Sequence, residues 1–192
     1  MVAPNLILEA VLQDLAVSYD EWSISVLRYF NPIGAHPSRE SGEDPKGLPN
    51  NLLPFVAQVA SGVRDSVLVF GGDYPTKDGT GVRDYIHVVD LARGHIKALE
   101  FLDSNRGVLT CNLGTGTGYF VFDVLKAFER ASGRKVPYTL VDRRPGGVAQ
   151  CFADPKYAKQ VLGWQAEFDL DRMCEDAWRW QRQYPNGYKD EH

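Results

Sequence analysis

Apolar positions recur along this chain with two different periods. Leu8, Val11, Leu12 and Leu15 keep helical spacing within Leu6–Leu15. Ser23–Tyr29 (SISVLRY) alternates and is partly β-branched, which predicts a strand. Further helices are predicted over Leu52–Ala60, Asp90–Leu102, Phe120–Ala131, Pro155–Leu162 and Leu170–Gln183, and further strands over Ser66–Phe70, Val108–Leu113 and Val136–Val141. The helix from Asp90 takes its period from Leu91, His95, Ala98 and Leu102, with Asp90 as its expected cap. Alternating strands and helices define the α/β class. Two stretches break the pattern. Asn31–Asn51 is rich in Pro, Gly and Asp and long for a plain connection, which favours a functional loop, and Asp73–Arg83 is a second, glycine-rich loop. No repeat or low-complexity linker divides the chain.

With 192 residues the chain can bury a real core. Its net charge of -4 argues against nonspecific nucleic-acid binding, so any anion site must be local. Cys111, Cys151 and Cys174 are odd in number and lack metal-ligand spacing, which favours reduced thiols in the cytoplasm. No apolar run reaches membrane-spanning length, and no basic-then-apolar leader opens the chain. Lys189–His192 faintly resembles an ER-retention tail, a reading with little support when no signal peptide accompanies it.

Chemistry concentrates in Gly79–Asp90 (GTGVRDYIHVVD). Its glycines allow tight turns and close backbone approach, and Arg83 offers a planar fork of donors suited to phosphate. Arg144, in Arg143-Arg144-Pro145-Gly146, is a second such fork, and both stay protonated at any working pH. The competing reading is a weak surface ion pair, Arg83 with Asp84 for example. Asn31 ends a predicted strand, where α/β folds place ligand contacts, though an Asn-Pro turn also explains it. Asn50 and Asn51 stand just before a helix, as anion ligands or as caps. Leu68-Val69-Phe70 alone reads as core strand, and His87 as a structural histidine rather than an acid or base. Gly114–Gly118 follows a strand, but its spacing is not that of a dinucleotide fingerprint, and it reads as a strand-to-helix turn. Such a fingerprint belongs in a strand–turn–helix near the start of a chain, whereas this one opens with a helix.

Together with Arg28-Tyr29-Phe30-Asn31-Pro32, these motifs closely resemble the UDP-glucose 4-epimerases of the extended short-chain dehydrogenase/reductase superfamily, over nearly the whole chain. The resemblance implies the C-terminal part of an extended Rossmann-like fold. Residues 1–31 would be a remnant of the NAD-binding domain. Residues 32–192 would be mostly a UDP-sugar-binding lobe, with some segments returning to the NAD-binding sheet. It implies an NAD-dependent isomerase of galactose metabolism that interconverts UDP-glucose and UDP-galactose, working as a homodimer in full-length form. Arg83 and Arg144 would grip the diphosphate, Asn31, Asn50, Asn51 and Leu52 would touch the UDP-sugar, and Leu68, Val69 and Phe70 would read the uracil. Cys151 would line the sugar pocket and leave room for an N-acetyl group, although a buried cysteine acting as a small hydrophobe is the plainer reading. Tyr29 and Phe30 would lie against the nicotinamide.

The sequence also departs from the family. The tyrosine that takes the hydroxyl proton and the lysine that lowers its pKa fall on Met1 and Asn5, neither of which ionises. Gly147 replaces an acid that hydrogen-bonds the ribose, a loss of about 1–2 kcal/mol. The chain alone is therefore expected to be inactive. The readings left open are a clipped epimerase, a nucleotide-sugar-binding remnant without turnover, and a fragment that does not fold stably alone.

Overall fold

The computed structural model describes residues 3–188. The chain folds as α1 (Ala3–Ser18), β1 (Ser23–Tyr29), β2 (Asn31–Ile33), α2 (Leu52–Ala60), β3 (Val67–Phe70), β4 (Val82–Arg83), β5 (Tyr85–His87) and α3 (Val88–Ser104). It continues as β6 (Gly107–Leu113), β7 (Tyr119–Phe120), α4 (Val121–Ser132), β8 (Tyr138–Val141), β9 (Gln150–Cys151), α5 (Lys156–Leu162) and α6 (Leu170–Gln183). The Met1 assignment and the Lys189–His192 reading lie outside the described residues.

Most pairing is parallel: β1 with β6, β2 with β5 and β3 with β8. In a fourth sheet, β4 lies between antiparallel β7 and parallel β9. Parallel neighbours need a crossover, and helices lie within it: α2 stands between β2 and β5 in the chain, and α3 and α4 between β3 and β8. The α/β class is thus the observed one.

Two apolar clusters hold these layers. In the first, α2, α4 and α6 bury Val56, Phe128 and Met173 against Val67 and Val69 of β3. Phe128 meets Trp178 edge to face, with centroids 5.9 Å apart, a favoured arrangement for aromatic rings. The second packs Ala98 of α3 and Ala158 and Leu162 of α5 on Leu109, Cys111 and Leu113 of β6. Leu27 of β1 leans on this second cluster, so the first strand shares a core with residues 86–113 and 158–166.

Helix α1 behaves differently from the others. Leu12 and Leu15 are half-buried, but Leu8 and Val11 are exposed, as are Leu6 and Ile7. The apolar spacing marks a face; what that face packs on is decided elsewhere. Arg28 of β1 ties the helix down through its pair with Glu9, Nε to Oε1 at 2.7 Å. Asn5 is exposed on α1.

The expected cap of α3 is displaced. The helix starts at Val88, and His87 caps it by accepting the Val89 N–H on Nδ1 at 3.0 Å. Asp90 lies inside the first turn, fully buried, with Oδ2 accepting from Glu167 and Phe168 N–H at 2.9 Å each. A carboxylate that anchors a distant loop in this way has the same sequence signature as a cap, which is why spacing misassigned it.

Candidate functional site

The C-terminal ends of β2 and β3, the start of α2 and the loops around Arg83 and Arg144 enclose one cavity of about 340 Å³. Its size suits a nucleotide-sized ligand. Every substrate-contact residue expected from the sequence lines it except Cys151.

Arg83 comes from β4, which is fixed by backbone bonds from Val82 N to Ala149 O at 2.8 Å and from Asp84 N to Cys151 O at 3.1 Å. Its guanidinium donates to Val82 O at 2.7 Å and to Val148 O at 2.9 Å, which fixes the fork at the cavity wall. The Arg83–Asp84 ion pair considered from sequence does not form. Asp84 points away from the cavity, is fully buried, and accepts from Thr115 N–H, Thr115 Oγ1, Gly116 N–H and Ala153 N–H. Arg144 enters from the opposite loop and lays its guanidinium over the Phe70 ring, 3.9 Å from the centroid. That stacking orients a cation without consuming its donors.

Asn31 is extended rather than turned, and both its backbone N–H and its side-chain Nδ2 donate to Asp84 O, at 3.3 and 2.7 Å. Its side-chain oxygen keeps its acceptor capacity. Asn51 occupies the cap position of α2 but makes no side-chain cap hydrogen bond, and its Nδ2 donates to Glu43 Oε1 at 2.9 Å. Capping therefore does not account for Asn51. In β3, Val69 is buried in the core, whereas Leu68 is exposed. Among the described residues β3 pairs only with β8, so its other backbone edge borders the cavity.

Cys151 is the exception. It is exposed on β9, in register with Arg83 and outside the cavity wall, and it is not the buried hydrophobe of the plainer reading. Tyr74, Phe55 and Tyr85 line the cavity and were not singled out from the sequence. Tyr74 gave no signal because a lone aromatic in a glycine-rich loop belongs to no period. Burial pushes the Tyr85 phenol up to about 12.

The glycine-rich turn at Gly114–Gly118 does not fit a dinucleotide pyrophosphate. Its Thr115 and Gly116 N–H groups already serve Asp84, and a Cβ at Gly118 would run into Val82 and Phe152. Its close approaches are internal packing, as expected for a strand-to-helix turn. Tyr29 is exposed and Phe30 half-buried at the C-terminal end of β1, where parallel sheets present ligand contacts.

His87 lies outside the cavity lining. It is fully buried, with Nε2 3.2 Å from Asp176 Oδ2, and burial pushes its imidazole down to about 4, with Asp90 opposing and Arg172 and Arg93 reinforcing the shift. The unfolded imidazole takes up its proton at higher pH, so this residue lowers folding stability as pH falls from about 6.5 to about 4. An NMR titration of the His87 ring is expected to show a midpoint near 4. A midpoint near 6.5 would contradict the neutral, buried ring.

This parallel α/β frame with a two-arginine cavity matches one family. Residues 5–114 fit the model of the NAD dependent epimerase/dehydratase family, and the chain belongs to that family. It is 61% identical over 185 residues to the UDP-glucose 4-epimerase of Bacillus subtilis (strain 168), covering 96% of this chain and 55% of that protein. The Homo sapiens UDP-glucose 4-epimerase is 57% identical over 181 residues, 94% of this chain and 52% of the relative. Among solved structures, the Bifidobacterium longum UDP-glucose 4-epimerase in complex with NAD+ and UDP superposes with a TM-score of 0.92 at 51% identity, covering 95% of this chain and 54% of that one. The chain spans about half the length of the curated relatives it matches.

Proposed function

We propose that this chain provides the UDP-sugar-binding part of a UDP-glucose 4-epimerase, which interconverts UDP-glucose and UDP-galactose. The observation that carries this reading is the convergence of Arg83 and Arg144 on one cavity whose other wall is the free edge of β3. Two guanidiniums suit a diphosphate, and an unpaired strand edge offers the alternating N–H and C=O groups that a uracil can match. Asn31 and Asn51 add amide contacts for the sugar and its phosphates.

NAD is the cofactor of this reading, and it supplies hydride chemistry when bound. Tyr29 and Phe30 fit only as a border to its nicotinamide end. The described residues form no cradle for its pyrophosphate, so no step of the reaction is routed through them. The shared core of β1 with β6, α3 and α5 supports the division in which residues 1–31 and the returning segments belong with the cofactor-binding sheet. Residues 32–192 otherwise form the substrate lobe. Homodimer formation and a cytoplasmic location belong to the same reading; among the described residues no helix is long and apolar enough to cross a membrane.

Calorimetric titration with UDP, paired with a coupled assay for UDP-galactose conversion, tests the reading. Binding without turnover by this chain alone is the expected result. No heat on addition of UDP would remove the nucleotide-sugar site, and turnover by the chain alone would overturn the inactivity expected from Asn5 and Met1.

A further inference from the structure

The loop between β3 and β4 is built to hold one side chain, that of Tyr74. Its arms touch backbone to backbone: Gly79, at φ +81°, has no room for a Cβ against Gly72 O. Tyr74 N–H donates to Gly79 O at 2.9 Å, and Thr76 Oγ1 donates to Thr80 O at 2.6 Å, which closes the loop on itself. Its start is tied to the sheet by the bond from Gly71 N–H to Val141 O at 2.8 Å.

Within this frame the Tyr74 ring is fixed on three sides. Arg143 covers it, with the guanidinium carbon 4.2 Å from the ring centroid, and Arg143 is itself held by Asp73 at 2.7 Å. The ring edge packs against Gly71, where a Cβ would come within 2.6 Å of Cε2. The hydroxyl end lies against Gly147 so closely that a Cβ there would overlap Oη. Tyr74 is 8% exposed and forms part of the cavity wall, yet among the described residues no hydrogen bond is made to Oη. A phenylalanine would satisfy every packing contact in this description. A polar tip fixed at the wall of a binding cavity, open to that cavity and without a protein partner, is placed to bond a ligand group there.

We propose that Tyr74 Oη is a nucleotide contact that hydrogen-bonds a hydroxyl of the nucleoside ribose. This inference rests on the nucleotide-sugar reading of the cavity. Arg83 and Arg144 carry only donors and face the charged diphosphate oxygens, whereas a phenol both donates and accepts and so suits a hydroxyl. Oη meets Gly147 in the turn that also carries Arg144, and its loop runs from Phe70 at the end of the uracil-facing strand to Arg83. The part of a nucleotide that joins base to diphosphate is the ribose. Gly147, lacking a side chain, leaves that position to Tyr74.

The test is calorimetric titration of the unmodified chain and of Tyr74→Phe with UDP and with 2′,3′-dideoxy-UDP, with circular dichroism as the folding control. The expected results are an about fivefold weaker affinity of Tyr74→Phe for UDP and an equal narrowing of the preference for UDP over the dideoxy analogue. Equal affinity of both proteins for UDP overturns the proposal. Equal weakening toward UDP and the dideoxy analogue moves the contact to a phosphate oxygen and overturns the ribose assignment. Absence of UDP binding by the unmodified chain overturns the cavity's reading as a nucleotide site, and this inference with it.

Discussion

Arg144→Ala is expected to weaken UDP binding by roughly tenfold to a hundredfold, from the ~1.5–3 kcal/mol of hydrogen bonds to a charged group. Arg144 is the cleaner of the two arginines to remove. Its guanidinium rests on Phe70 and makes no hydrogen bond among the described residues, so its loss falls on the ligand rather than on the fold. Arg83→Ala is expected to cost at least as much affinity and some stability besides, because it also frees the carbonyls of Val82 and Val148. In the double variant binding should fall below detection. Arg144→Lys keeps the charge and loses the planar fork, and should recover only part of the affinity. Isothermal titration with UDP decides the matter; affinities within about twofold of the unmodified chain in both single variants would contradict a shared diphosphate clamp.

Asp84→Ala is expected to lower the melting temperature by on the order of 10 °C, from a destabilisation of about 3–5 kcal/mol in a chain of this size. The carboxylate is fully buried, and four donors end on it: the N–H groups of Thr115, Gly116 and Ala153 and the Thr115 hydroxyl. Removing the acceptor leaves them unsatisfied, which costs more than an exposed pair would. Those donors sit on the turn after β6 and just beyond β9, so Asp84 locks both to the strand that carries Arg83. UDP affinity should fall along with stability. Thermal unfolding followed by circular dichroism provides the check, and a melting temperature within about 2 °C of the unmodified chain would show that the turn closes without the carboxylate.

The same motif shows what could be read in advance. Arg83 was legible because a guanidinium in a glycine-rich run has few competing explanations. Asp84 beside it was legible only as an ion-pair partner, because its donors lie 31 to 69 residues away. The Leu52–Ala60 and Leu170–Gln183 helices and the Ser23–Tyr29 strand fall at the expected boundaries, since each carries several apolar residues in period. β2, β4, β5, β7 and β9 escaped because two or three residues cannot display a period; they exist only where a partner strand arrives. Cys151 shows the opposite failure: its place in a motif suggested a pocket wall, and β9 leaves it exposed.

Local spacing thus determined which of the longer segments become helix or strand, the α/β class, and the residue types able to hold a nucleotide diphosphate, because those follow from backbone period and side-chain chemistry alone. Only the tertiary structure decided that His87 rather than Asp90 caps α3, that Asn51 is tied to Glu43, that Leu8 and Val11 of α1 stay exposed, and that Tyr74 joins the two arginines at one cavity. They turn on which groups meet in three dimensions, such as Asp90 with the Glu167 and Phe168 N–H groups or Tyr74 with Gly147, and on faces such as Leu8 and Val11 that meet nothing described, none of which a period along the sequence encodes.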